Sequence, residues 1–170
     1  MLEKSGVPSG EQLELCMPRP ERRRRGAVAV FECFEEIPCD PCYDACKFGA
    51  VFPFADINHL PRVDHDRCNG CAACVSHCPG LAIFVVDESW APGRALLKLP
   101  YEFVPLPEVG QLLACYDREG RLVGEGITVR VVRGRPRLGT PVVWVEVHPE
   151  LAWQVRHVQP VMGGASRERP

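Results

Sequence analysis

Four thiols fall within eleven residues at Cys68, Cys71, Cys74 and Cys78, and Pro79 follows directly. Thiolate is a soft ligand that favours iron–sulfur clusters and zinc over hard cations. The order C-x2-C-x2-C-x3-C-P is that of a [4Fe–4S] site whose fourth cysteine serves a neighbouring cluster. Three closely spaced thiolates can wrap one face of a cubane before the chain moves away to the next. Gly70 gives the winding loop access to positive φ, and Ala72 and Ala73 are small enough for a close backbone approach. Pro79 fixes φ, removes a donor and turns the chain out of the loop.

The motif predicts a partner, and a degenerate copy precedes it. Adding 32 to a residue number carries Cys39, Cys42 and Cys46 onto Cys71, Cys74 and Cys78, and Ala50-Val51 onto Ala82-Ile83. Glu36 stands where the copy should have the equivalent of Cys68, but Cys33 lies three residues earlier. Carboxylate oxygen is a poor ligand for such a cluster, so Cys33 is assigned, with three residues inserted before Cys39. Lys47 replaces the expected proline. Its ammonium either lies close enough to stabilise a reduced cluster or extends into solvent and is screened.

Other metal and redox chemistry explains this spacing less well. Zinc sites use CxxC as separated pairs around a tetrahedral ion, which leaves the third cysteine of each run without a role. Disulfides belong to oxidising compartments, and no signal peptide precedes these cysteines. His65 and His77 are alternative metal ligands by residue type, but eight sulfur positions are already filled. Cys16 is expected to be a free thiol and Cys115 a buried core residue.

Residues 28–86 resemble the two-cluster ferredoxins of bacteria. The resemblance implies two β-hairpin-and-helix halves related by a pseudo-twofold axis around two [4Fe–4S] clusters. Carried over position by position, it implies that Cys33, Cys39, Cys42 and Cys78 hold one cluster. Cys68, Cys71, Cys74 and Cys46 would hold the other.

These ligand loops occupy a minority of the 170 residues. The hydrophobic share of 46% and charged share of 25% are those of an ordinary globular chain, and no apolar run is long enough to span a bilayer. The expected class is α+β: a two-[4Fe–4S] ferredoxin-like domain over 26–88, then a small, mostly antiparallel β domain over 89–160. An extended arm is expected over 1–25 and a disordered tail over 161–170. Arg22–Arg25 reads as a solvated charge run before a partner-binding arm, and lacks the helical or aromatic pattern of a nucleic-acid site. Strands are expected over 27–32, 81–86, 96–99, 112–116, 122–132 and 142–147, with a helical turn over 43–48 and a short helix opening at Pro149. Trp90–Gly93 reads as a linker or turn, and Gly124 and Gly126 as marks of a bulge or bend.

The second half carries no nucleotide-binding glycine loop, P-loop, GxSxG or HExxH motif, so no catalytic site is assigned. The stretch Phe31–Cys42 followed by a β-rich tail resembles the iron–sulfur subunits of heteromeric flavin-dependent dehydrogenases of proline, hydroxyproline or related amines. That resemblance implies FAD on partner subunits, flavoprotein dehydrogenase partners, a hetero-oligomer and relay of electrons to or from flavin. A net charge of −2 lacks the one-sign field that steers a free carrier, which favours a bound subunit. A free ferredoxin and an iron–sulfur redox sensor are the alternatives. Ten cysteines with no visible signal sequence imply a reducing compartment, so a cytoplasmic location is expected.

Overall fold

The computed structural model describes residues 5–134 and 139–161. Two short helices open it, α1 (Gly10–Cys16) and α2 (Pro20–Arg23), and the strand β1 (Val28–Phe31) follows. Between β1 and β2 (Ile83–Ala91) lie the cysteine loops with α3 (Pro41–Ala45) and α4 (Ala73–His77). The remainder is β3 (Arg94–Pro100), β4 (Leu112–Tyr116), β5 (Leu122–Val132), β6 (Val142–Val147), a 3₁₀ turn at Pro149–Leu151 and β7 (His157–Pro160). All seven strands join one antiparallel sheet in the order β1-β2-β3-β6-β5-β4-β7.

The extended arm expected over 1–25 is instead helical in two places. Ser9 caps α1 in a reciprocal capping box, its hydroxyl taking the Gln12 amide hydrogen while the Gln12 side chain accepts from the Ser9 backbone. Pro20 starts α2 at a position where its missing N–H costs nothing. The tail expected over 161–170 lies, from 162 onward, outside the described residues. The boundary drawn at 88/89 falls inside β2, and the Trp90–Gly93 stretch closes a β2–β3 hairpin in which Ala91 pairs with Arg94. The cysteine-bearing half and the β-rich half therefore share a sheet. A change in cysteine density marks the boundary in sequence, but hydrogen-bonding strands run across it.

Period-two alternation makes that sheet a wall between two cores. Ala29, Phe31, Ile83, Val85 and Val142 face the cysteine loops. Their neighbours Val30, Phe84, Val86, Val143, Val145 and Val147 face a larger core with Leu97, Leu113, Cys115, Val155 and Val158. The sheet curls until its first and last strands approach. Glu32, just after β1, takes hydrogen bonds from Arg156, just before β7, at 3.0 Å, and also from Arg118 in the β4–β5 hairpin. Arg156 stacks 4.2 Å from the Phe84 ring.

The bend expected at Gly124 and Gly126 takes the form of a register shift, Cys115 pairing with Gly124 and Tyr116 with Leu122. A Cβ on Gly126 would lie 2.6 Å from Val145 Cγ1 and 3.1 Å from the Glu146 carbonyl oxygen. Gly126→Ala is therefore expected to cost about 1–3 kcal/mol, the usual range for an overpacked core. Denaturant unfolding measures this, and an unchanged midpoint would show that β6 can move aside.

Candidate metal centre

The 32-residue repeat is realised in three dimensions. Adding 32 to the bounds of α3, Pro41–Ala45, gives Ala73–His77, the bounds of α4. The pairing of Phe31 with Ile83 is matched by the bridge between Val63 and Val51, the same two positions with the copies exchanged. Each copy thus sends its opening strand to the closing strand of the other. In both, the backbone N–H four residues past the last cysteine donates to its sulfur: Ala50 to Cys46 Sγ at 3.3 Å and Ala82 to Cys78 Sγ at 3.4 Å.

This exchange places the thiols in two groups. Burial pushes the Cys42 thiol up to about 12, helped by the facing Cys78, Cys39 and Cys33. Burial likewise raises Cys33, with Cys78, Cys39 and Glu35 adding to it, and raises Cys39, with Cys78 and Asp40 adding to it. In the second group burial pushes Cys74 well up, and Cys68, Cys71 and Cys46 add to the effect. Each group takes three cysteines from one motif and the last from the other. Among the described residues no three His, Cys, Asp or Glu side chains close on a single metal ion. A cubane, by contrast, holds its thiolates on separate irons and needs them farther apart than one tetrahedral ion does.

The loop around Cys68 is the more elaborately held. Gly70 adopts φ +66°, and a Cβ there would lie 2.4 Å from the Ala27 Cβ, so both backbone and space require glycine. Ala72 also takes a left-handed φ of 68° as it leads into α4. Cys68 Sγ accepts from the N–H groups of Ala29 at 3.3 Å and Gly70 at 3.4 Å. Turning N–H groups toward sulfur turns carbonyls outward, and two cations meet them. Arg22 donates to the carbonyls of Cys68 (2.5 Å), Ala27, Gly26 and His65. Lys98 of β3 donates to the Gly70 carbonyl at 2.6 Å. A hollow walled by Ala29, Phe31, Val51 and Val63 opens among Cys46, Cys68, Cys71 and Cys74.

Several expected participants lie elsewhere. Glu36 is exposed, and so is Lys47, whose charge therefore sits in solvent. The Nδ1 of His77 lies 2.9 Å from the Ala73 carbonyl of its own helix, and His65 is lowered by burial and by Arg22. Cys16 donates to the Leu13 carbonyl, and burial raises it to about 11, with Glu32 adding to the effect. Cys115 is fully buried in β4. The solvated run expected at Arg22–Arg25 holds for the exposed Arg24 and Arg25 and is corrected for its first half: Arg22 is only 6% exposed, and Arg23 lies 5.0 Å from the Trp153 ring. Lys98 carried no signal beyond a single polar position in an apolar strand, and Arg22 was hidden among like residues.

Residues 61–84 match the model of the 4Fe–4S binding domain. That stretch contains Cys68, Cys71, Cys74 and Cys78. Over 52 residues the chain is 38% identical to the protein named pyruvate synthase subunit PorD of Methanocaldococcus jannaschii, a match covering 31% of this chain and 58% of that one. The chain thus spans a little over half the length of this relative. The comparisons support 4Fe–4S binding at the second cysteine motif, within residues 61–84. No solved structure matches.

The iron–sulfur segment suits a [4Fe–4S] group in donor chemistry, in apolar walls that limit water, and in backbone N–H donors aimed at sulfur. Such a group, when bound, takes up and returns one electron. The buried thiols must lose protons to ligate it, so binding is coupled to folding. Cys33→Ser is expected to remove iron from the chain, whereas Cys16→Ser and Cys115→Ser should leave it unchanged. Iron and sulfide analysis after anaerobic purification decides this, and the reverse pattern would reassign Cys33. Chelating the iron should unfold the loops between β1 and β2 first, read as loss of amide protection there.

Proposed function

We propose that this protein is an electron-transfer subunit holding two [4Fe–4S] clusters, one on Cys33, Cys39, Cys42 and Cys78 and the other on Cys46, Cys68, Cys71 and Cys74. The observation that carries the reading is the exchange between copies, which gathers eight thiols from two sequence runs into two groups of four. Its partners are flavoprotein dehydrogenase subunits carrying FAD, and the chain relays electrons to or from that flavin inside a hetero-oligomer.

Surface character supports a bound subunit over a free carrier. Phe52, Phe54 and Leu60 line one surface hollow, and Leu60 with Phe34 and Leu15 lines the next, beside Cys33. Ile37, Phe52, Ile57, Leu60 and Leu15 are all exposed. Apolar surface gathered in one region marks a place where a partner sits. Among the described residues no helix is long and apolar enough to cross a membrane. The match to a pyruvate synthase subunit favours a second reading, in which the partner carries out that chemistry in place of flavin chemistry.

Anaerobically purified protein is expected to hold about eight iron and eight sulfide, four of each per cluster. Native co-purification from the source cells should bring down a subunit with the absorption of bound flavin. A flavin-free partner with pyruvate-oxidising activity would move the assignment to the second reading, and a monomer with no partner would make the chain a free carrier.

A further inference from the structure

Lys98 is the one lysine among the described residues counted in the buried set, 7% exposed in the middle of β3. Its ammonium donates to the Gly70 carbonyl at 2.6 Å and lies 4.1 Å from the centre of the Trp144 ring. Among the described residues it forms no ion pair. A buried ammonium is costly unless something compensates it, and one carbonyl and a ring face are weak compensation for a full charge. The charges facing it are Asp87, Arg130, Cys71 and Cys68. Asp87 is the foremost of these counter-charges, and the sulfurs of Cys71 and Cys68 follow it, ahead of the opposing Arg130, so the second ligand loop shares with Asp87 the compensation of this ammonium.

Two partly buried guanidiniums, Arg118 and Arg156, share a hollow with Cys33 of the other group, but both are paired with Glu32, and among the described residues no cation there is left without a paired carboxylate as Lys98 is. The charged residues facing that group are Glu35, beside Cys33, and Asp40, beside Cys39. Both are carboxylates, and Glu35 is exposed and so screened by water and salt, which Lys98 is not. Reduction adds one negative charge to a site. A fixed cation in a poorly solvated wall stabilises that charge, and carboxylates oppose it.

We propose that Lys98 sets the Cys46/Cys68/Cys71/Cys74 site at a higher reduction potential than the Cys33/Cys39/Cys42/Cys78 site, so that an electron given to this chain comes to rest beside β3. The proposal rests on the two-cluster reading above. An electron from a one-electron donor, or from a partner's reduced flavin giving up its two electrons singly, would enter at either site and settle at the second. The β-rich half is then an electrostatic part of the redox site, since β3 carries the charge and β6 carries the Trp144 ring beneath it. Lys98 is a positioning residue: it acts through the loop and ligates nothing.

The test uses the full chain, purified anaerobically, in an order that separates the two claims. Iron, sulfide and the spin count of the dithionite-reduced protein come first, and fewer than two clusters in the unaltered chain would overturn the two-cluster reading itself. Redox titration with EPR detection then follows Lys98→Met, Lys98→Gln and Lys98→Arg, with Cys71→Ser identifying which signal belongs to the second site. Lys98→Met and Lys98→Gln are expected to make reduction at that site at least tenfold less favourable, a shift of about 59 mV for one electron, and to leave the other midpoint in place. Lys98→Arg should keep the potential, and Lys47→Met, at an exposed position, should change neither midpoint. If Lys98→Met fails to hold iron, Lys98→Gln carries the same test, because its amide can still donate to the Gly70 carbonyl. Two unchanged midpoints in an iron-replete Lys98→Gln protein would overturn the proposal. So would a Lys98→Arg protein shifted as far as Lys98→Gln, which would make the effect one of packing and not of charge.

Discussion

Glu32 ties the molecule together. It is the last residue before Cys33, and it accepts hydrogen bonds from Arg118 and Arg156, which belong to the opposite edge of the sheet. Burial raises its carboxyl, but the two guanidiniums outweigh that and hold it below the usual carboxylate value. Removing the acid would strand the nearly buried Arg156 without its counter-charge, a loss of about 3–5 kcal/mol for broken buried pairs of this kind. The same contact closes the curled sheet and anchors the start of the first ligand loop, so the outer strands and the first cysteine share one electrostatic restraint.

A second restraint follows from how a chain encloses a cluster. Backbone N–H groups of Ala29, Gly70, Ala50 and Ala82 turn toward cysteine sulfur. The loop carbonyls then face away and still require donors. Arg22 from α2 and Lys98 from β3 meet those of Cys68 and Gly70. Neither cation lies in the repeat that bears the cysteines. Helix α2 and strand β3 are therefore structural supports of the second ligand loop.

The shared sheet has the same consequence on a larger scale. A strand buried on one face can be shed with its domain, but β1 and the first four residues of β2, Ile83 to Val86, are buried on both. One face supports the thiols and the other belongs to the large core, so stability of the β-rich half is transmitted directly to the floor beneath the ligands.

The sequence by itself determined the chemistry and most of the local structure. Cysteine spacing is a one-dimensional record of a three-dimensional ligand set, so the 4Fe–4S motif at Cys68–Cys78 could be read directly, and its offset copy reappears in the structure as the matching helix α3 and the Val51–Val63 bridge. Strands at Leu112–Tyr116, Leu122–Val132 and Val142–Val147 lie where alternation put them, because period-two burial writes itself into residue order. Helix α1 has a sequence signal in Ser9 and Gln12, but its polar segment lacks the apolar periodicity that marks a helix against a core. Only the tertiary structure decided that β2 would cross the expected boundary, and that Arg22 and Lys98 would be buried against the loop while Lys47 would not. The burial of those two cations depends on loop carbonyls brought from 28 to 46 residues away. A local pattern reports which face a residue turns inward, but it carries no information about what waits there.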